Sequence, residues 1–293
     1  MDHAEQNVVG IFVRTFFYGI YLFIMAHCLR WIFFEDEGWR LRSRINGLIL
    51  TVIVLVFLST TGNLAIWMIL TLAAVGDTIP LSMNQYILSS VTLENVTALA
   101  IDAMLIFRCW IVSNRSWPMI CFPLVLWLAN IGFVVTYICK TAINFEATAL
   151  PILILEVFYV CNIAINLYAI SVIIYQILRV ARRRHSVGSG SDLYEICRIL
   201  IECGLPYLFS TIFYLTVMAI TTKPFLIPTS CALNSTMNAV AFNLLVIRVG
   251  LRRADGKRNN DLSSLRFDVA TRPMLEDHTS EKGTQEVIGE NLA

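Results

Sequence analysis

The chain has 293 residues, 57% of them hydrophobic and 15% charged, with a formal net charge of +1. Globular chains average about 45–50% apolar and about 25% charged, so the balance leans toward the membrane class. Apolar residues fall in long runs while charges gather in the gaps and in the tail, which excludes a soluble globular domain; the small net charge gives no footing for a nucleic-acid partner.

A helix needs about 20 apolar residues to cross a hydrocarbon core of about 30 Å, and backbone polar groups cannot stay open there. Met1 to Gly10 holds Asp2 and Glu5 but no Lys or Arg. It therefore lacks the basic start of a cleavable signal and reads as a short extracellular segment, residues 1–10. The apolar runs that follow are Val9–Phe33 with Arg14, Ile45–Val75 without formal charge, and Leu81–Val112 with Glu94, Asp102 and Arg108. They continue with Trp117–Cys139, Ala147–Leu178 with Glu156, Leu193–Thr221 with Glu195, Arg198 and Glu202, and Phe225–Ile247. The expectation is an all-α integral membrane protein, a seven-transmembrane helix bundle over residues 11–249.

Orientation follows from the basic residues in alternate connections. One side carries Arg40, Arg42, Arg44, Arg115, Arg179, Arg182, Arg183, Arg184, Arg252, Arg253, Lys257 and Arg258; the other carries Lys140 and Lys223. This asymmetry predicts the amino terminus outside and the carboxyl terminus in the cytosol, with Trp31, Trp39, Trp110 and Trp117 at the basic interface. Arg108 belongs to the same cytosolic basic set. The tail, residues 250–293, is polar and poor in aromatics, a composition that predicts disorder; its first basic stretch suits anionic lipid.

Eight cysteines include no C-x-x-C spacing, so they read as packing residues. A disulfide between Cys139 and Cys231, both near the outer side, stays open. No histidine-rich metal set, phosphate-cradling loop or nucleophile elbow occurs, and the seventh run has no lysine for a Schiff base. No cofactor, metal or catalytic residue is expected, and an enzyme is the least expected class.

Ionisable and amide side chains inside the bilayer are costly and mark either helix packing or function. Asn95 and Asp102 are seven residues apart, nearly on one stripe, with Glu94 about 80° around from Asp102. Glu195, Arg198 and Glu202 share a face at i, i+3 and i+7, the last just before Gly204 and Pro206, where a kink is expected. Glu156, Asn162 and Asn166 on the fifth run and Asn234, Asn238 and Asn243 on the seventh complete an expected inward-facing polar seam. Three readings are open: interhelical hydrogen-bonding glue at about 1 kcal/mol or less per contact, a ligand pocket or switch, and an ion or proton path.

The segment Asp102-Ala-Met-Leu-Ile-Phe-Arg108-Cys109-Trp110, followed by Arg115-Ser-Trp117 and Pro123, carries a family likeness. So do Asn166 with Tyr175-Gln-Ile-Leu-Arg179, Arg198-Ile-Leu-Ile-Glu202-Cys-Gly204 and Val246-Ile-Arg248-Val-Gly250. In combination these resemble a large family of uncharacterised seven-span membrane proteins from mushroom-forming (basidiomycete) fungi, over about Gly10 to Gly250. The resemblance implies topology and no particular activity. The layout is also similar to that of G-protein-coupled receptors, in topology only: Arg108 is flanked by Phe107 and Cys109, and Asn243-Leu-Leu-Val-Ile stands where those receptors carry N-P-x-x-Y.

The leading expectation is a receptor-like sensor in the plasma membrane, with a small ligand of unknown identity and a heterotrimeric G protein as the candidate partner. The Arg198–Glu202 pair beside Pro206 would be its two-state element. The alternatives are a small-solute or ion transporter with Asp102 and Glu202 titrating, and a membrane scaffold without ligand.

Overall fold

The computed structural model describes the backbone of residues 3–35, 40–41, 47–76, 83–113, 115–143, 149–183, 190–220, 226–248 and 250, and most side chains within them. The side chains of 3–7, 35, 40–41, 143, 149–151, 177–178, 180–183 and 190–203 lie outside the description. The helices in chain order are α1 (His3–Phe33), α2 (Gly47–Val75), α3 (Met83–Val112), α4 (Pro118–Ile143), α5 (Ala149–Arg183), α6 (Gly190–Ile220) and α7 (Leu226–Arg248). Between α1 and α2 lies a two-residue ribbon, β1 (Phe34–Glu35) antiparallel to β2 (Arg40–Leu41), with Phe34 opposite Leu41 and Glu35 opposite Arg40.

Every apolar run forms a helix because nothing else closes its backbone hydrogen bonds in lipid. Six helices contain stretches long and apolar enough to cross a membrane: Val8–Phe33, Gly47–Val75, Met83–Val112, Pro118–Ala142, Ile152–Gln176 and Leu226–Arg248. In α6 the described apolar part is Gly204–Ile220, shorter than a full crossing. The outer surface agrees with a lipid solvent. Phe12, Phe16, Phe23, Leu58, Leu72 and Phe209 point outward, an arrangement that water would penalise. The hydroxyls of Thr51, Thr136 and Thr216 are exposed, yet each donates to the carbonyl four residues back (2.9, 2.7 and 2.7 Å), so these three present no bare donor to hydrocarbon. The chain is a helical, multi-pass membrane bundle.

The connection into α4 shows how local chemistry sets a boundary. The Trp117 carbonyl accepts from the N–H groups of Ile120 and Cys121 (3.0 and 3.2 Å). Pro118 takes the first helical position, where its missing N–H costs nothing. The tight turn before it puts Arg115 at φ 59°, and its guanidinium lies 5.6 Å from the Trp110 ring centroid.

Helix α3 is the hub. It contributes Ile101 and Met104 to a core shared with α1, α2 and α7, including Tyr21, Val56 and Phe242. It contributes Ala98 to a second core with Val134, Phe158, Tyr159 and Tyr214 from α4, α5 and α6. Ile106 meets Ile120 and Ile165 in a third. Only 11% of the α1 span is buried, against 44% for α3 and 67% for α7, so α3 and α7 are the interior helices. An interior helix must bring polar groups wherever its neighbours do.

Gly204 lets α6 approach α5. A Cβ built there would meet Ile170 Cδ1 at 2.8 Å. That atom is the end of a flexible side chain, so Gly204→Ala should be near neutral: the helix propensity gain of about 0.5–1 kcal/mol offsets a small shift of Ile170. Gly204→Val should lose about 1–3 kcal/mol by overpacking. Detergent-micelle unfolding of the two variants beside the parent checks this, and equal losses would mean the contact is not tight.

Candidate functional site

Two polar networks occupy the bundle interior, about 12 Å apart along α3 at 1.5 Å per residue. The first is built on Glu94. Asn63 Nδ2 on α2 donates to Glu94 Oε1 at 2.8 Å. Arg14 on α1 donates to Asn63 Oδ1 and also lies 3.4 Å from Glu94 Oε1, with both charged side chains almost fully buried. The guanidinium also stacks over Trp67, 4.9 Å from its centroid. Trp67 Nε1 donates to Ser90 Oγ at 2.8 Å, and Ser90 Oγ donates to Asn63 Oδ1 at 3.3 Å. From α7, Cys231 Sγ donates to Glu94 Oε2 at 2.9 Å. One carboxylate thus ties α1, α2, α3 and α7 together.

The second network is built on Asp102, itself fully buried. Asn162 Nδ2 donates to Asp102 Oδ2 at 2.8 Å and Asn166 Nδ2 donates to Oδ1 at 3.2 Å. Tyr207 on α6 donates to Asn162 Oδ1. Asn162 therefore relays a bond from α6 through α5 to α3, its amide orientation settled by having a donor on one side and a carboxylate on the other. Nearby, Thr211 Oγ1 donates to Asn234 Oδ1 at 2.8 Å, joining α6 to α7, while Ser210 Oγ donates to the Tyr207 carbonyl at 2.8 Å on its own helix.

The single seam expected over spans three, five, six and seven is thus two clusters, and the reason is helical geometry. The 80° offset sends Glu94 toward α1, α2 and α7, while Asp102 faces α5 and α6. Asn162, Asn166 and Asn234 sit where the seam was expected. Asn95 is buried, but its amide forms no hydrogen bond, and it takes no part in the Asp102 network although it shares that stripe. Glu156 is half-buried and joins neither cluster among the described residues. Asn243 lies near Tyr21, but neither its amide nor the Tyr21 hydroxyl forms a hydrogen bond, and it joins neither cluster. Arg108 is half-buried, with Nη1 closed to solvent. Cys139 and Cys231, whose pairing the sequence left open, are both free; Cys231 turns inward to Glu94 while Cys139 is exposed. Arg198, Glu202, Arg182 and Arg183 lie on described backbone with side chains outside the description, and Arg184, Arg252 and Arg253 fall outside the described residues.

Sequence reasoning passed over Arg14 as a site residue, and did not single out Asn63, Tyr207 or Thr211. Arg14 had a legible signal: a cation inside an apolar run needs an acid at similar depth, and Glu94 lies as far into α3 (Met83–Val112) as Arg14 lies into α1 (His3–Phe33). Asn63 and Tyr207 had none, because amides and phenols are common in spans.

Two small cavities border the networks. One is lined by Arg14, Asn63, Glu94, Thr97, Ser235 and Asn238 among others, and leaves about 20 Å³ for water centres. The other lies between Asn166, Tyr207, Asn238 and apolar side chains including Ile170 and Leu245, and leaves about 40 Å³. A single water needs about 10–15 Å³ on this measure, so both are water-sized. Among the described residues no group of three His, Cys, Asp or Glu side chains is placed to hold a metal.

Removing one partner of a buried pair leaves the other charge uncompensated, at about 3–5 kcal/mol. Arg14→Leu and Glu94→Leu should therefore each destabilise more than the double variant, a sign reversal that a double-mutant cycle in micelles reads directly. Asp102→Ala strands two amide donors and should lose about 1–3 kcal/mol. Glu156→Ala should stay within about 0.5 kcal/mol of the parent in the same assay.

Comparison of the chain with protein-family models, curated proteins and solved structures found no match, so the functional reading rests on the geometry of these two networks.

Proposed function

We propose that the protein is a receptor-like sensor of seven spans, amino terminus outside and carboxyl tail in the cytosol, in the plasma membrane. The observation that carries this reading is the bond path from Tyr207 through Asn162 to Asp102, which links three helices at a point next to Pro206 inside α6. A proline removes a backbone donor and loosens the helix around it. Tyr207 is the next residue, so its hydroxyl holds α6 to α5 across the weak point. Breaking that bond frees the two halves of α6 to change their angle, which is the two-state element a sensor needs. In this reading Tyr207, Asn162 and Asp102 take the place first given to Arg198 and Glu202.

The partner reading is a heterotrimeric G protein at the basic face. The test is co-purification of G protein with the solubilised full-length chain, with and without guanine nucleotide. A complex that forms without nucleotide and dissociates with it is the expected result. Tyr207→Phe removes one interhelical bond of about 1 kcal/mol, so the fraction captured without ligand should rise about five-fold while the fold is retained. No complex under conditions where a fungal receptor control forms one would overturn the G-protein reading.

A second reading, transport of a small solute or ion, is favoured by one observation: water-sized cavities lie beside two buried carboxylate networks. Solute flux in proteoliposomes, with Asp102→Ala as the inactive control, tests it.

A further inference from the structure

Asn238 is the one residue that lines both cavities. Its side chain is 95% buried by the residue's 5% exposure, and its amide makes no direct hydrogen bond to the described residues. A buried amide without a partner costs about 1–3 kcal/mol, so its position at the common wall calls for a guest on each side.

The walls define the guest. Around the first cavity, Thr60 donates to the Val56 carbonyl (2.7 Å), Thr97 to Leu93 (2.8 Å), and Ser235 and Thr236 to Ala232 (3.2 and 2.8 Å). Each hydroxyl proton is spent on its own helix, so the oxygens turn lone pairs to the cavity. These four oxygens accept, while Arg14 and Asn238 on the same wall can donate, so the guest that suits them all both donates and accepts. A cation would suit the oxygens alone, and the Glu94 carboxylate is already offset by Arg14, so a further positive charge in this interior carries an uncompensated desolvation cost. The remaining small guest that fits about 20 Å³ is water.

We propose that ordered water occupies both cavities and bonds to Asn238 from either side, joining the Glu94 network to the Asp102 network through Asn166 and Tyr207. Asn238 is a positioning residue in this path. Its amide donates at Nδ2 and accepts at Oδ1, so it passes hydrogen-bond order between the cavities. It holds no proton that it can give up and regain, so the path couples the two networks without being a proton wire. The inference does not depend on the sensor reading.

Radiolytic hydroxyl labelling of the full-length protein in detergent marks side chains that lie beside internal water. Tyr207 and Phe242 line the second cavity, whereas Tyr159 and Phe158 line neither, and all four are at most 5% exposed. Tyr207 and Phe242 should label several-fold faster than Tyr159 and Phe158; equal rates would overturn the proposal. Thermal melts of Glu94→Gln, Asp102→Asn and their combination test the coupling. The combined loss should differ from the sum of the single losses in the native background and should equal it with Asn238→Leu, while Asn238→Ser, which keeps a bridging hydroxyl, should preserve the difference. Additive losses in the native background overturn the coupling even if Asn238→Leu does not fold.

Discussion

A carboxylate inside a lipid-embedded bundle must be answered by donors on other helices, because its own helix spends every backbone N–H on itself and the surrounding hydrocarbon offers none. Helix α3 carries two such groups, Glu94 and Asp102. Most of the polar architecture follows from satisfying them. Arg14, Asn63 and Cys231 turn inward toward Glu94, and Asn162 and Asn166 toward Asp102, because another rotation of α1, α2 or α7 would cost Glu94 a partner and another rotation of α5 would cost Asp102 both of its amides. Apolar packing alone would not fix those rotations, since lipid tails and leucine side chains are equally good neighbours.

The two acids serve different kinds of attachment. The Glu94 cluster contains an opposite charge, an aromatic face and partners on three other helices, so parting any one helix exposes a buried ion. One carboxylate therefore joins α1, α2, α3 and α7. The Asp102 cluster uses only neutral donors and reaches α6 through a single tyrosine hydroxyl beside a proline. Neutral contacts of this kind are worth about 1 kcal/mol, weak enough to open at thermal cost. Helix α6 is also held to α7 by the Thr211–Asn234 bond and to α5 by the Tyr159–Tyr214 ring contact, so the two clusters differ in the kind of partner each acid has.

Asn238 lies between the two clusters, on the wall of both cavities. Helix α7 is the most buried span, and its successive polar residues meet different neighbours: Cys231 meets Glu94, Asn234 meets Thr211, and Asn238 faces both cavities. The polar face of α7 thus reads across the whole interior, a geometric reason for a disturbance at one network to reach the other.

The helical, membrane-embedded nature of the chain was determined by the sequence itself, because hydrocarbon permits only one closure of backbone bonds for a 20-residue apolar run. Helix positions followed the same way, with ends displaced by a few residues: α4 runs Pro118–Ile143 where the apolar run was Trp117–Cys139. Candidate polar residues were legible as a set, since any Asp, Asn or Glu inside a span stands out against its surroundings; Asp102, Asn162, Asn166 and Asn234 were found on that ground. Which of them meet was decided only by tertiary structure. Periodicity places a side chain on a helix face but not the neighbour that the face meets, so Glu94 was grouped with Asp102 although their 80° separation sends them to opposite halves. Arg14 and Tyr207 gained their roles only from packing, and Glu156, equally conspicuous in the sequence, gained none. Local chemistry sets where a helix runs; which buried charge is answered by which donor depends on the rotation of each helix about its axis, a property of the assembled bundle.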